Sequence, residues 1–523
     1  MFMLFSRPRL GRCGVMIKPL SLIVTALALG GCSAVAVKDD GTAQAIALQR
    51  VGLDTASDAA AFLPSSSAAA VSAQVERLMQ QPLSADTAVR LALLQNSQLR
   101  GQLAELGVAR ADLQQAGLIS NPTLAVGGLR PEGGGRWQMD FGLSQSLLDV
   151  LTRGLRRSLA QTEFTRVQLE VSAQLTDILL TAQQHYYAAL AARHRAAIVD
   201  LVATAAETHA GLAQAYQRAG NITELEALIQ SAEAHARRQE ADAAALDARQ
   251  AQATLAADLG VADGARLQLP EQLPLPPAET LETTALIEQA LRDRLDLQAL
   301  RQSQAQLNQE LALHRKTRGA TTFDAGVNAE RDYDSSANVG PEVSLSLPIF
   351  DNGRTQIAAA QSRLDQNDAA IAGLEIAIRN EVTQARADMA LQSQRAQRYR
   401  STLIPQRERI VALSLQRTNY MLTGPFETLL AKQQEYAAYL DYVDTLGNYW
   451  RARAALAKAV GRALPNATTE LAPLPKLDDN AMPSMPGMSH DKDDMSGMNH
   501  AMPAPAADKP TAPHQQHHEG APQ

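Results

Sequence analysis

The stretch LSQSLLD at Leu143–Asp149 returns as LSLPIFD at Leu345–Asp351, and its neighbours return with it at almost the same spacing. A period of about two hundred residues marks a tandem duplication of one large unit. LSADTAVRLALLQNSQL from Leu83 matches LETTALIEQALRDRLDL from Leu281, setting Val89, Ala92 and Leu93 over Ile287, Ala290 and Leu291. AYQRAGNITELEALIQ matches NYMLTGPFETLLAKQ, setting Tyr216 over Tyr420 and Gly220 over Gly424. Each copy closes on a helical pattern stopped by glycine, at Gly260 and at Gly461. These matches bound a first repeat at 83–266 and a second at 281–464, joined by a Pro-rich run over 267–280 that reads as a linker.

Two textures succeed one another within each repeat. Trp137, Met139, Phe141 and Leu143 alternate with Gln138, Asp140, Gly142 and Ser144, the period of a strand with one apolar and one polar face. Phe323–Ala329 and Val343–Leu347 alternate in the same way, and a weaker run covers Thr123–Leu129. Hairpins are expected over about 123–149 and about 321–351, turning at Gly133–Gly135 and Asp332–Ser336. Such strands suit either a half-buried sheet on a soluble domain or a transmembrane barrel with its apolar face outward. Four strands cannot close a barrel, for which about eight are needed, so in lipid several chains would have to contribute.

Helical patterns follow the hairpins over about 155–258 and about 355–460. Val167, Val171, Leu175, Ile178, Ala182 and Ala189 recur in coiled-coil steps of three and four. A helix of roughly sixty residues reaches about 90 Å, far more than a compact domain needs, and Pro405 is expected to kink its counterpart in the second repeat. The chain of 523 residues is 46% hydrophobic but only 4% aromatic, so its interior is alanine-rich and favours closely packed helices. The expected fold class is mainly α with a small β part. A formal charge of −7 without a basic cluster argues against a nucleic-acid partner.

Lys18, the apolar run LSLIVTALALGG and Cys32 have the form of a secretory signal over 1–31, too short to span a bilayer comfortably. Met16 begins a complete signal by itself. Leu29-Gly30-Gly31-Cys32 resembles a bacterial lipobox, which implies cleavage before Cys32, its lipidation, and a lipidated extension over 32–82. Ser33 rather than Asp after that cysteine implies passage to the outer membrane. Cys13 would leave with the signal, so no disulfide and no catalytic thiol is expected.

Taken together, the paired Leu-Ser-x-x-Leu/Ile-x-Asp motifs, the tyrosine and glycine of the two helical turns and the glycine close of each repeat resemble the TolC-like outer-membrane efflux family over about 83–461. The resemblance implies a homotrimer whose hairpins form one twelve-stranded outer-membrane barrel above a coiled-coil helical tunnel, with no enzymatic activity. It implies an inner-membrane pump of the RND type and a periplasmic adaptor as partners, and a lipoprotein of the heavy-metal efflux type in a Gram-negative bacterium. It also places the two helical turns near the periplasmic entrance. Tyr216, Gly220, Glu224, Glu226, Tyr420, Gly424 and Glu427 are therefore the candidate tip and gate residues. The tyrosines are expected to hold the tip by hydrogen bonds. The carboxylates could form a cation-attracting ring in a trimer, or simply answer a helix dipole. Ser146 in place of Pro348, and three residues between the tyrosine and glycine of each turn, depart from the usual family pattern.

No catalytic constellation and no phosphate loop occurs, and no cofactor is required. His185, His194, His209, His235 and His314 are scattered as packing or surface residues. The segment 465–523 is polar and Pro-rich, and reads as a disordered tail. Met485, Met488 and His490 in it are repeated as Met495, Met498 and His500, while His514, His517 and His518 follow. Thioether and imidazole together suit Cu(I) and Ag(I), and the added histidines suit a borderline divalent ion. The sequence supports an efflux channel, for copper or silver. Drug or protein export by the same kind of channel, and a lipid-anchored periplasmic coiled coil that binds metal or spaces the envelope, stand as alternatives.

Overall fold

The computed structural model describes residues 41–53, 68–277, 281–319, 322–334, 336–465 and 471–472. Cys32 and the tail from 473 onward lie outside the described residues. Two short helices, α1 (Thr42–Val51) and α2 (Ala68–Met79), come first. The first repeat is α3 (Ala85–Gln95), α4 (Ser97–Ala116), β1 (Thr123–Leu129), β2 (Gln138–Ser146), α5 (Leu147–Arg218) and α6 (Glu224–Leu259). The second is α7 (Thr283–Asp293), α8 (Leu295–Thr317), β3 (Phe323–Arg331), β4 (Ala337–Leu345), α9 (Arg354–Arg398), α10 (Ile404–Asn419) and α11 (Pro425–Val460). Order and type repeat, as a duplication requires, except that the counterpart of α5 is divided into α9 and α10.

The motif that reveals the duplication folds differently in its two copies. In the first, β2 runs straight into α5 with Ser146 as N-cap, so the 72-residue helix, about 108 Å long, starts eight residues before the expected Leu155. In the second, Pro348 denies the chain an N–H donor, and the Asp351 carboxylate accepts from the Gly353 amide at 2.9 Å. Gly353 then enters α9 with φ 71, a left-handed conformation that glycine adopts freely.

Pro405 acts as its position suggests, though by insertion rather than by a break. A single π-turn at Tyr399–Leu403 separates α9 from α10. The wider turn absorbs the proline's lost hydrogen bond and its clash with the preceding turn, while helical dihedrals persist across the junction at Leu403 and Ile404.

Helix α5 packs against α6, α11, α8 and α4. Its buried positions Leu175, Ala182, Ala189, Ala203 and Ala210 are spaced by multiples of seven, as are Ala227, Ala234 and Ala241 of α6. That spacing keeps one narrow stripe facing its partner, and alanine lets the backbones approach closely. Arg238 bridges the pair by donating to Glu207 at 2.7 and 2.9 Å and to Asp200 at 2.8 Å. On α11 the stripe is instead aromatic and large: Tyr436, Tyr439, Tyr442, Val443, Tyr449 and Trp450 are buried.

The run 267–280, expected as a linker, is irregular in backbone where described but seated in the core. Leu267, Leu269, Leu273 and Leu275 are buried, and the Pro274 carbonyl accepts from the Trp450 indole at 2.8 Å. Leucines spaced along an extended path can bury side chains that a linker would leave in water. The N-terminal extension is likewise docked: Ala43, Ala47 and Leu48 of α1 are buried, and the Arg50 carbonyl accepts from Ala463 N at 2.7 Å.

His194 of α5 is fully buried beside this segment. Its Nδ1 accepts from the Leu273 amide at 3.3 Å, and its Nε2 meets no partner. Burial pushes its pKa down to about 4 from 6.5, because the charged imidazolium would lose its hydration there. The unfolded chain takes up that proton below about pH 6.5, so stability should fall as pH drops from 6.5 toward 4. The slope is about 1.4 kcal/mol per unit, giving about 2 kcal/mol of loss by pH 5. Denaturant midpoints of the detergent-solubilised protein at pH 7.5 and 5.0 should show this, with a smaller drop in His194→Gln. An equal drop in both proteins would refute the assignment.

Candidate functional site

The four strands form one antiparallel sheet in the order β1-β2-β3-β4. Paired residues share a face, so the register sorts the side chains. Leu124 faces Leu143, which faces Val327; Val126 faces Phe141, Ala329 and Val339 in turn; Phe323 faces Leu345. This apolar face is uncovered, with Leu124, Val126, Val339 and Val343 each more than 60% exposed. On the opposite face Asp140 pairs with Glu330, Glu330 with Asn338, Gly326 with Glu342, and Asp324 with Ser344 and Ser146. Facing carboxylates repel, and the Gln138 amide donates to Glu330. The sheet is therefore apolar toward one side and acidic toward the other, and neither outer edge, β1 nor β4, is paired within the described residues.

The two helical turns are built alike but not with the expected residues opposite each other. Helix α5 ends at Arg218 and Gly220 takes φ 75; α10 ends at Asn419 and Met421 takes φ 57. Thr223 and Gly424 are then the N-caps of α6 and α11, both extended. Structurally Gly220 thus matches Met421 and Thr223 matches Gly424. The pairing of Tyr216 with Tyr420 and of Gly220 with Gly424 is displaced by three residues, nearly one turn. Tyrosine and glycine recur as letters at one spacing, whereas the left-handed position recurs at another, from Gly220 to Met421. Met421 is the one non-glycine residue with positive φ among those described. That conformation costs an L-residue roughly 1–2 kcal/mol, so Met421→Gly should firm the turn by about 1 kcal/mol. Hydrogen exchange of the turn amides should slow about fivefold; unchanged or faster exchange would contradict the strain.

Around these turns, Glu226 is half of a capping box. Its carboxylate accepts from Thr223 N at 2.8 Å, and Thr223 Oγ1 accepts from Glu226 N at 3.2 Å. The hydrogen bonds from Thr223 hold its carboxyl below the usual range. Glu427 lies 3.5 Å from Arg417 across the second turn. Glu224 is exposed in the first turn of α6. Tyr216 contributes its backbone carbonyl, accepting from Asn221 N at 2.9 Å. Tyr420 is exposed, and no phenolic hydrogen bond of either tyrosine holds a turn among the described residues. The turns carry exposed apolar groups that sequence reading passed over, notably Leu225, Leu228, Met421 and Leu422; their place within a turn was the available signal.

Among the described residues no three His, Cys, Asp or Glu side chains gather as a metal site, and no helix is long and apolar enough to cross a membrane. Met485, Met488, His490, Met495, Met498 and His500 lie outside the described residues, as does Cys32.

Two tandem copies of a hairpin and a pair of very long helices, with one uncovered apolar sheet face, make up a fold that this chain shares with solved outer-membrane channels. No protein-family model matches the chain. It is similar to the cobalt-zinc-cadmium resistance protein CzcC of Cupriavidus metallidurans, 23% identical over 401 residues that span 73% of this chain and 90% of that protein. Among solved structures it is similar to CusC, described for transmembrane channel formation, with a TM-score of 0.61 at 15% identity over 72% of this chain and 91% of that one. It is similar also to the open state of the MtrE outer-membrane channel of Neisseria gonorrhoeae, with a TM-score of 0.58 at 17% identity over 74% and 89%.

Proposed function

We propose that this chain is the outer-membrane channel of a tripartite efflux system. Three copies join their sheets into a twelve-stranded barrel, and their helices form the tunnel beneath it. An RND-type inner-membrane pump and a periplasmic adaptor deliver the cargo, which the channel conducts passively. The observation that carries this reading is the sheet: apolar on its uncovered face, acidic on the other, and open at both edges. Unpaired edge groups in lipid cost several kcal/mol each, so a membrane sheet of this kind must close with further copies, and closure turns the acidic faces into one aqueous lining.

Cys32 carries the lipid anchor in the outer membrane. Glu224 and Glu427 of three copies ring the periplasmic entrance and favour cations, with Glu226 engaged in its cap. The cargo is copper or silver, supported by the Met485/Met488/His490 and Met495/Met498/His500 units. A second reading, export of divalent ions, draws support from the similar protein's cobalt-zinc-cadmium resistance and from His514, His517 and His518.

Reconstitution in planar bilayers should give discrete conductance steps that favour cations; a silent bilayer would sink the channel. Replacing Cys32 by Ser should leave a protein that still needs detergent, whereas a water-soluble monomer would instead support a lipid-anchored spacer. In a strain whose metal tolerance depends on this chain, removing 482–523 should reduce tolerance to copper and silver. Loss confined to zinc, cobalt or cadmium would favour the second reading, and unchanged tolerance to every metal would remove the tail from metal handling.

A further inference from the structure

The strand directions bring two exposed apolar segments to the same end of the sheet. Each strand is antiparallel to the next, so β4 runs opposite to β1. The chain enters β1 through Leu118 and Ile119, and it leaves β4 through Leu347, Ile349 and Phe350. All five side chains are exposed, Phe350 completely at 101%. Neither segment is loose. Arg153 Nε donates to the Gly117 carbonyl at 2.7 Å and Gln145 Nε2 to the Ser120 carbonyl at 2.9 Å, fixing the entry segment to the start of α5 and to the end of β2. The exit segment is held by Ser346 N donating to Thr322 O at 3.2 Å and Ile349 N to Leu347 O at 2.8 Å. Fixed backbones presenting large apolar side chains to water form the kind of patch that marks an interface.

We propose that the Leu347–Phe350 segment is a subunit clasp, seated on Leu118, Ile119 and Leu151 of the next copy of this chain. The inference rests on the channel reading, because the occupant follows from edge closure. When β4 of one copy pairs with β1 of the next, the exit end of β4 and the entry end of β1 meet at the helix-proximal rim. Leu151, in the second turn of α5 and 73% exposed, precedes by two residues the Arg153 that binds Gly117 on the entry side. Within one copy the two segments sit at opposite edges of four strands, about 14 Å apart at 4.8 Å per strand spacing, so they cannot cover each other.

Combining Phe350→Cys in one chain with Ile119→Cys, Leu118→Cys or Leu151→Cys tests this, since a disulfide needs Cα atoms within about 7 Å. All these positions are exposed, so the substitutions spare the core. Mild oxidation of the detergent-solubilised protein should convert monomer bands on non-reducing gels to dimers and trimers for at least one pair, and for no single-cysteine control. If none of the three pairs cross-links in protein whose mass is still that of a trimer, the clasp is refuted while the channel reading stands. That result, with Phe350→Cys labelled by a lipid-soluble probe, would assign the segment to lipid. A monomeric mass for the unsubstituted protein would overturn both.

Discussion

Trp450→Ala is expected to destabilise the protein by about 3–5 kcal/mol, the range for removing a large aromatic from a packed interior. The indole is fully buried on α11 and stacks on Tyr187 of α5, with ring centroids 4.4 Å apart and planes 14° from parallel. Tyr449 meets it edge-on at 5.4 Å, and the Arg453 guanidinium lies 5.5 Å above the ring. Its N–H donates to the Pro274 carbonyl at 2.8 Å. One side chain thus ties a helix of each repeat to the segment that joins them. Alanine would leave a cavity between long helices that cannot collapse locally, and would orphan the Pro274 carbonyl as well. Trp450→Phe keeps an aromatic in the stack and loses the hydrogen bond, so it should cost less, about 1–3 kcal/mol. Thermal midpoints of the two variants check this; equal midpoints would show that neither the stack nor the volume matters at this junction.

That junction also shows where the sequence stopped being legible. The repeat was readable because it is written in local signals: strand alternation, glycine stops and heptad alanines each follow from neighbouring residues. Residues 123–129 and the helix close at Gly260 could therefore be placed closely. The aromatic cluster on α11 has no counterpart in α6, where the corresponding stripe is alanine, so a duplication argument passes over it. Leu273 and Leu275 lie in a Pro-rich run, and composition alone assigns such a run to solvent; only the distant partners Trp450 and His194 reveal that it is core. At the turns the letters misled for a related reason. Tyr and Gly recur at equal spacing, whereas the geometry recurs at Gly220 and Met421, and nothing in a methionine announces a left-handed backbone. The sheet's two faces and its failure to close alone were readable in the sequence, but that β1 and β4 are the edges, with Leu347–Phe350 leaving one of them, depends on strand order, which alternation does not encode.

Gly260→Ala should cost about 3 kcal/mol, clearly more than Gly461→Ala, although the two glycines close equivalent helices. Both have left-handed backbones, φ 71 and φ 78, so each alanine carries roughly 1–2 kcal/mol of conformational strain. What differs is the neighbour. A Cβ on Gly260 would lie 2.6 Å from the Gln95 carbonyl oxygen and 2.7 Å from its carbon, both backbone atoms. That backbone cannot give easily, because the adjoining Asn96 side chain donates to the Asp258 carbonyl at 2.7 Å and accepts from Gln98 N at 2.8 Å. Relief would have to push the junction of α3 and α4 away from the end of α6, adding about 1–3 kcal/mol of packing strain. At Gly461 the nearest atom is Arg294 Cγ at 2.9 Å, part of a side chain that can rotate, although at the expense of its contacts with Asp296 and Glu381. Arg294 replaces Asn96 as the residue that reaches the closing helix, donating to the Ala459 carbonyl at 3.3 Å. The duplicated joint is thus clamped by backbone in one repeat and by a long side chain in the other. Chemical denaturation of both variants should give the larger loss for Gly260→Ala, and equal losses would mean that the strain at both sites lies in φ alone. If the side-chain explanation is right, shortening Arg294 to alanine should erase the steric part of the Gly461→Ala penalty, while no side-chain truncation at Gln95 should rescue Gly260→Ala.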